Sequence, residues 1–218
     1  MQITAISVNF RTPRLIQDCV GSFSRHYPHV HHILIDNGGC PQSIGIMRGL
    51  AKRAEVTLVE NDTNRGHGPA LHQGVSLVKT RYVFLLDSDT RTEKGGFLEE
   101  MLSRFEADAR LFALGWLRYT NENGVASPKQ HLKRGMEYVH PYACLLDVVK
   151  YKKLHPFIHS GAPATKLMHS AKKAKYRLAR FPIERYIWHK VAGTRGCFGG
   201  ECRVPTNMRM MKWRKHRI

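Results

Sequence analysis

No apolar run in this sequence approaches the roughly 20 residues that a membrane-spanning helix needs; the longest, such as Tyr82–Leu86, falls far short. The opening stretch MQITAISVNF lacks the charged start, long apolar segment and small-residue cleavage site of a secretory signal. Cysteine is sparse. Cys19, Cys40, Cys144, Cys197 and Cys202 form no C-x-x-C pair, so free thiols in a reducing compartment are expected rather than a zinc ribbon or a disulfide framework. His155 and His159 stand four apart, but Pro156 follows the first and no cysteine pair lies nearby. No Gly-rich phosphate loop follows the first strand-like segment, which counts against a nucleotidyltransferase. Repeats and low-complexity tracts are missing outside the basic terminus. Together these absences point to a soluble, cytoplasmic chain.

Acidic residues are also few: 17 Asp and Glu stand against 35 Lys and Arg, a formal charge of +18. The excess is unevenly placed. From Lys166 onward there are 15 Lys/Arg but only Glu184 and Glu201 as acids, whereas the first 165 residues are near balance. A basic end beside a balanced body calls for an anionic partner such as phosphates, acidic lipid head groups or nucleic acid. Met208 to Arg217 interleaves cations with Met and Trp213, a pattern suited to the inner face of an anionic membrane as a peripheral contact. A solvated chain end fits it too. No recognition-helix motif or aromatic-rich strand accompanies the charge, so nucleic acid is not the expected partner.

What is present is a globular chain, 42% hydrophobic, whose first ninety residues alternate strand-like and helix-like segments. Ile3–Val8, His32–Ile35, Val56–Val59 and Tyr82–Leu86 read as strands, rich in β-branched and apolar residues. Between them, Thr12-Pro13 opens a helix in which Leu15, Ile16, Cys19, Val20 and Phe23 recur at helical spacing. Ser43–Ala54 and Pro69–Val78 give two more. This order predicts a Rossmann-like α/β fold with a mostly parallel central sheet and right-handed crossovers. In such sheets ligands sit beyond the C-terminal strand ends. Three polar clusters fall there: Asn9–Thr12, Asp36–Gly39 and Asp87–Thr90. Further on, Gly95–Glu106 and Ala164–Lys175 read as helices, Leu111–Leu117 and Ile183–Trp188 as strands. Glu122–Gln130 reads as a loop, and Tyr142–Lys152 mixes both signals.

Asp87 and Asp89 are two apart, directly after the most strand-like run. That spacing puts both carboxylates on one side of an extended chain at the ligand edge. Hard carboxylate oxygens suit Mg2+ or Mn2+, which bridge diphosphate oxygens and neutralise a departing nucleotide. Asp-Ser-Asp-Thr is also ordinary turn chemistry; the position after Tyr82–Leu86 favours the metal.

The string RYVFLLDSDT resembles the strand and D-x-D motif of family 2 glycosyltransferases, which have the GT-A fold. The stretch from Glu60 to Gly66, with Ala70 through Gly74, is similar to that family's N-x-G loop and following helix. ISVNFRTPRLIQDCVGSF resembles its first strand and helix, and HILIDNGG its second strand and turn. The resemblance covers roughly residues 1–100 firmly and thins beyond. It implies a metal-dependent, inverting transfer of a sugar from a nucleotide-diphosphate donor, UDP-sugars favoured, to an acceptor hydroxyl. It further implies that Val8, Asn9 and Phe10 line the nucleobase side and that Asp36 accepts a hydrogen bond from the base. Asn64 and Gly66 would flank the nucleotide. Asp87 would sit near ribose and metal, and Asp89 would bind the metal. Residues 1–90 would form the nucleotide-sugar-binding half and 91–200 the acceptor-binding half of one domain, with 201–218 a basic tail.

Tyr186-Ile187-Trp188-His189, followed by Gly193-Thr194-Arg195, resembles the family's closing strand. By that resemblance His189 completes the metal shell, and Thr194 and Arg195 meet the diphosphate. One departure stands out. Where family members carry an acidic base, this chain reads His159-Ser160-Gly161-Ala162-Pro163. The candidate bases are therefore His159, whose ordinary pKa suits proton removal, and Asp147, with Glu184 a weaker third. A chain of this fold that kept binding and lost chemistry is the alternative. The acceptor, a lipid-linked or cell-envelope glycan if the tail meets membrane, is not legible in these residues.

Overall fold

The computed structural model describes residues 2–120, 135–158 and 162–190. Its frame is a seven-stranded sheet ordered β3-β2-β1-β4-β7-β6-β8. The strands are β1 (Ile3–Asn9), β2 (His31–Asn37), β3 (Val56–Asn61), β4 (Tyr82–Leu86), β6 (Leu111–Thr120), β7 (Met136–Asp147) and β8 (Arg177–Arg180). β1, β2, β3 and β4 pair in parallel, as do β6 and β8; β7 runs against both β4 and β6. A second, two-stranded sheet joins β5 (Thr90–Thr92) to β9 (Ile187–His189).

Strand pleating sorts the apolar side chains into two layers. Along β4, Val83 and Leu85 face one side with Ala70, Leu71 and Val75 of helix α3 (His67–Leu77) and Leu167, Met168 and Ala171 of α6 (Thr165–Lys173). Tyr82, Phe84 and Leu86 face the other, against Cys19 and Phe23 of α1 (Pro13–His26) and Phe97, Met101 and Phe105 of α4 (Phe97–Ala107). The remaining helices are α2 (Pro41–Leu50), which packs Met47 against Ile16, Val20 and Leu34, and the single turn α5 (Val148–Tyr151). Among the described residues no helix is long and apolar enough to cross a membrane.

Most predicted elements are present with boundaries shifted by a few residues. The segment read as one strand over 183–188 is instead a 3-10 turn, Ile183–Arg185, followed by β9. The mixed signal over 142–152 resolves into the end of β7 and the α5 turn. Cys19 and Cys144 are buried free thiols. Cys40 is disulfide-bonded, a departure from the expectation of free thiols.

One feature of the β6–β7 pair shapes the site. β7 pairs with β4 only from Ala143 to Asp147, where Ala143 lies opposite Leu86. Its first half, from Met136, continues past the end of β4 with β6 alone, through a register shift between Gly115 and Leu117. The ribbon thus rises as a wall beside the acidic turn that ends β4.

Candidate metal centre and donor pocket

β4 ends at the C-terminal edge of the sheet, and its last residue passes directly into the turn Asp87-Ser88-Asp89. The turn is closed by the Asp87 carbonyl, which accepts from Thr90 N–H at 3.1 Å and Thr90 Oγ1 at 2.7 Å. Asp87 N–H donates to the Tyr142 carbonyl on the β7 wall at 2.8 Å. Behind the turn lies the Cys19 thiol, 3.4 Å from the Asp87 carbonyl. Burial pushes that thiol up to about 12, so it stays protonated and inert.

β9 brings the third group. Pairing places Thr90 opposite His189, and Lys190 N–H closes onto the Asp89 carbonyl at 2.9 Å. His189 Nε2 then stands 3.3 Å from Asp89 Oδ1. One ligand atom each from Asp87, Asp89 and His189 falls within 4.8 Å of the others. Two hard oxygens and one imidazole nitrogen suit Mn2+ or Mg2+.

The electrostatics agree with a cation site. Burial, reinforced by the Asp89 charge, holds the Asp87 carboxyl above the usual carboxylate range, against the opposing pull of His67 and His189. For His189, burial alone would favour the neutral ring. Its hydrogen bond with Asp89 and the charges of both carboxylates outweigh this and raise its pKa. A divalent ion held there would relieve the repulsion between the two crowded carboxylates.

The nucleotide side is built by β1, β2 and the loop before α3. Asp36 is the last residue but one of β2 and is 1% exposed. Its Oδ1 accepts from Asn9 Nδ2 at 3.2 Å and its Oδ2 from Gly39 N–H at 2.9 Å. Burial raises its pKa, although these two donors oppose the shift. Asn9 is wholly buried, and its own oxygen accepts from Thr12 N–H and Oγ1; its side chain therefore orients Asp36. Val8 is buried beneath, and Phe10 is half-buried at the rim. Gly39 is required here, because a Cβ would meet Asp36 Oδ1 at 2.3 Å.

Asn37 is a hub that sequence reading missed. Its amide donates to Asn64 Oδ1 at 3.0 Å and to the Gly66 carbonyl at 3.2 Å. Its oxygen accepts from Asn61 Nδ2 and Arg65 N–H. Asn64 also accepts from Gly66 N–H at 2.8 Å, and Gly66 takes φ 89° just before α3. Asn64 and Gly66 thus shape the loop that aims the α3 N-terminus. The first residue of α3, His67, also missed, lies with Nε2 3.6 Å from Asp87 Oδ1.

Asp147 does not join this site. It lies opposite Tyr82, at the start of β4, whereas the acidic turn follows the end of that strand. It is fully buried, caps α5 through Lys150 N–H, and pairs with Arg81 at 2.9 Å and Lys150 at 3.0 Å. The structure thus places this candidate base at the opposite end of β4 from the acidic turn, in a buried cap and ion pair. Glu184 is held in an ion pair by Arg180. His159, Thr194, Arg195 and the basic tail lie outside the described residues.

A doubly layered α/β sheet with an acidic turn, a closing-strand histidine and a buried aspartate at one edge defines a GT-A type protein. A family model described as "Glycosyl transferase family 2" matches residues 4–168, and the chain belongs to that family. The poly-beta-1,6-N-acetyl-D-glucosamine synthase of Staphylococcus epidermidis is 26% identical over 137 residues, 62% of this chain and 31% of the relative. The chain thus spans about a third of that relative. Among solved structures, a Pyrobaculum calidifontis mannosyltransferase in complex with GDP-Man and Mn2+ superposes with TM-score 0.65 at 17% identity. That match covers 83% of this chain and 55% of the other. Residues 1–349 of S. aureus TarS, in complex with UDP-GlcNAc, give TM-score 0.63 at 14% identity over 86% and 58% of the two chains. These likenesses establish the fold.

Proposed function

We propose that this chain transfers a sugar from a nucleoside diphosphate donor to an acceptor hydroxyl, with inversion at the anomeric carbon. The observation that carries the reading is the convergence of Asp87, Asp89 and His189 at the ligand edge. The residues fit Mn2+ or Mg2+, and such an ion supplies charge neutralisation to the diphosphate as it leaves. Asp36 and Asn9 take the base, which favours a UDP-sugar. The α3 N-terminus, aimed from the Asn64–Gly66 loop, faces the same edge and favours negative charge.

In the transfer, the bond from the anomeric carbon to the diphosphate oxygen breaks as the acceptor oxygen forms its bond on the opposite face. The acceptor's proton goes to His159 in this reading. Supporting it, the flanks of His159 close on each other through Ile158 N–H to the Pro163 carbonyl at 3.2 Å. Thr194 and Arg195 are assigned to the diphosphate, and residues 201–218 to an anionic membrane that presents a lipid-linked or cell-envelope glycan. Vesicle sedimentation with and without 203–218 tests the last point; equal binding by both chains removes it.

The direct test is a panel of nucleotide sugars with Mn2+, scored by hydrolysis, transfer and thermal stabilisation. Turnover of a UDP-sugar supports the proposal. Stabilisation with no turnover across varied acceptors would favour a protein that binds donors and has lost the chemistry.

A further inference from the structure

The metal reading leaves open what fixes the third ligand. His189 sits on a strand of three residues, and its imidazole must be turned toward the acidic turn. Across from it stands Tyr142 of the β7 wall. Its ring lies flat on the His189 ring, centroids 4.5 Å apart and planes 13° from parallel. The Tyr142 carbonyl is the same one that accepts the Asp87 N–H. One residue therefore touches both sides of the ligand set: main chain to one carboxylate ligand, side chain to the histidine.

Tyr142 is itself rigidly held. It is 2% exposed, and Trp116 of β6 meets its ring edge-on at 5.7 Å and 82°. Its N–H donates to His140 Nδ1 at 3.2 Å. That bond puts any proton of neutral His140 on Nε2. The His140 ring in turn lies 6.0 Å from Trp116 and 6.1 Å from His189. The stacked pair is thus backed by the β6–β7 ribbon rather than by mobile solvent-facing groups.

Resting on the metal reading above, we propose that Tyr142 is a positioning residue for the metal centre: its stacked ring sets the plane of His189. Metal-ligating imidazoles depend on outer partners for orientation, and loss of such partners typically lowers metal affinity about 10–100-fold. Here a flat aromatic face takes that role, so the ring matters and the phenol hydroxyl does not.

The test compares wild type with Tyr142→Phe and Tyr142→Leu, measuring Mn2+ binding by loss of the free-ion EPR signal with UDP present. Phenylalanine keeps the stack and binds Mn2+ within about twofold of wild type. Leucine fills much of the volume without the flat face and binds about 10–100-fold more weakly, with its KM for Mn2+ raised in step. Equal affinity in the leucine variant overturns the proposal. A wild type that binds no Mn2+ removes the metal reading beneath it instead. A second arm needs no substitution at Tyr142 and stands if the leucine variant fails to fold. In the metal-free wild-type chain, the His189 ring protons, assigned by comparison with His189→Gln, resonate upfield under the Tyr142 ring current and stay there through a Mg2+ titration. Resonance at exposed-histidine positions contradicts the stack.

Discussion

His189 Nε2 reaches within 3.3 Å of Asp89 Oδ1 because three residues after the acidic turn pair with the three residues that end in that histidine. Thr90 lies opposite His189 and Thr92 opposite Ile187. This small second sheet carries the closing strand to the acidic turn. Thr90 N–H is spent on the Asp87 carbonyl and Thr92 N–H on Ser22 Oγ, which leaves Arg91, opposite Trp188, as the β5 residue whose N–H faces β9. Arg91→Pro, which removes that donor, should weaken Mn2+ binding though Arg91 is not among the candidate ligands. Isothermal titration with Mn2+ checks it, and unchanged affinity would count against β5–β9 pairing as the positioning device.

Gly39 gives a prediction about the nucleotide side. Gly39→Ala forces a Cβ onto the Asp36 carboxylate, with contacts of 2.3 and 2.8 Å to its two oxygens. UDP affinity should fall about tenfold or more, on the order of 1.4 kcal/mol, with Mn2+ binding in the absence of nucleotide little changed. Equal UDP affinity would mean that Asp36 does not meet the base.

Asp147 separates stability from chemistry. Asp147→Asn removes the charge facing Arg81 and Lys150 inside a buried cap and should cost about 2–4 kcal/mol in urea unfolding. The guanidinium of Arg81 is half exposed, which keeps the cost below that of a fully buried pair. Donor hydrolysis per folded molecule stays at the wild-type rate. A folded variant with turnover lost would return Asp147 to the reaction.

The pH dependence of stability is written in His32. Ser7 Oγ spends its proton on the Leu86 carbonyl at 2.7 Å, so His32 Nε2, 3.0 Å from Ser7, must donate. His32 Nδ1 is then buried without a partner. Burial, with a smaller contribution from His31, pulls the ring down to about 3. The unfolded chain takes up this proton near pH 6.5 while the native chain does not. The contribution of His32 is therefore complete above about pH 6.5 and is lost as pH falls toward 3, at about 1.4 kcal/mol per pH unit. Urea midpoints from pH 7 to 4.5 should fall less steeply in His32→Gln than in wild type. Parallel slopes would contradict the assignment.

The first half of the fold was legible because β1, β2 and β4 are buried along nearly their whole length and read as apolar runs. Three polar turns following such strands mark a ligand edge without further information. β5 and β8 were not legible. Thr90–Thr92 is too short to show a period, and Arg177–Arg180 is an edge strand with exposed arginines at both ends. Asp147 is near the motif-bearing segment in sequence, while the antiparallel course of β7 carries it to the far end of β4. His67, Asn37 and Tyr142 gave no signal because their roles arise from contacts between segments far apart in sequence.

The central claim is that Asp89 holds a divalent cation against a donor diphosphate. Titrating Mn2+ into wild type and Asp89→Asn with UDP present, read by free-ion EPR, tests it most directly. The account predicts Mn2+ binding in wild type that UDP strengthens, and a loss of about 100-fold or more in the variant, on the order of 2.7 kcal/mol. Equal Mn2+ affinity in the two proteins, both folded, would contradict it.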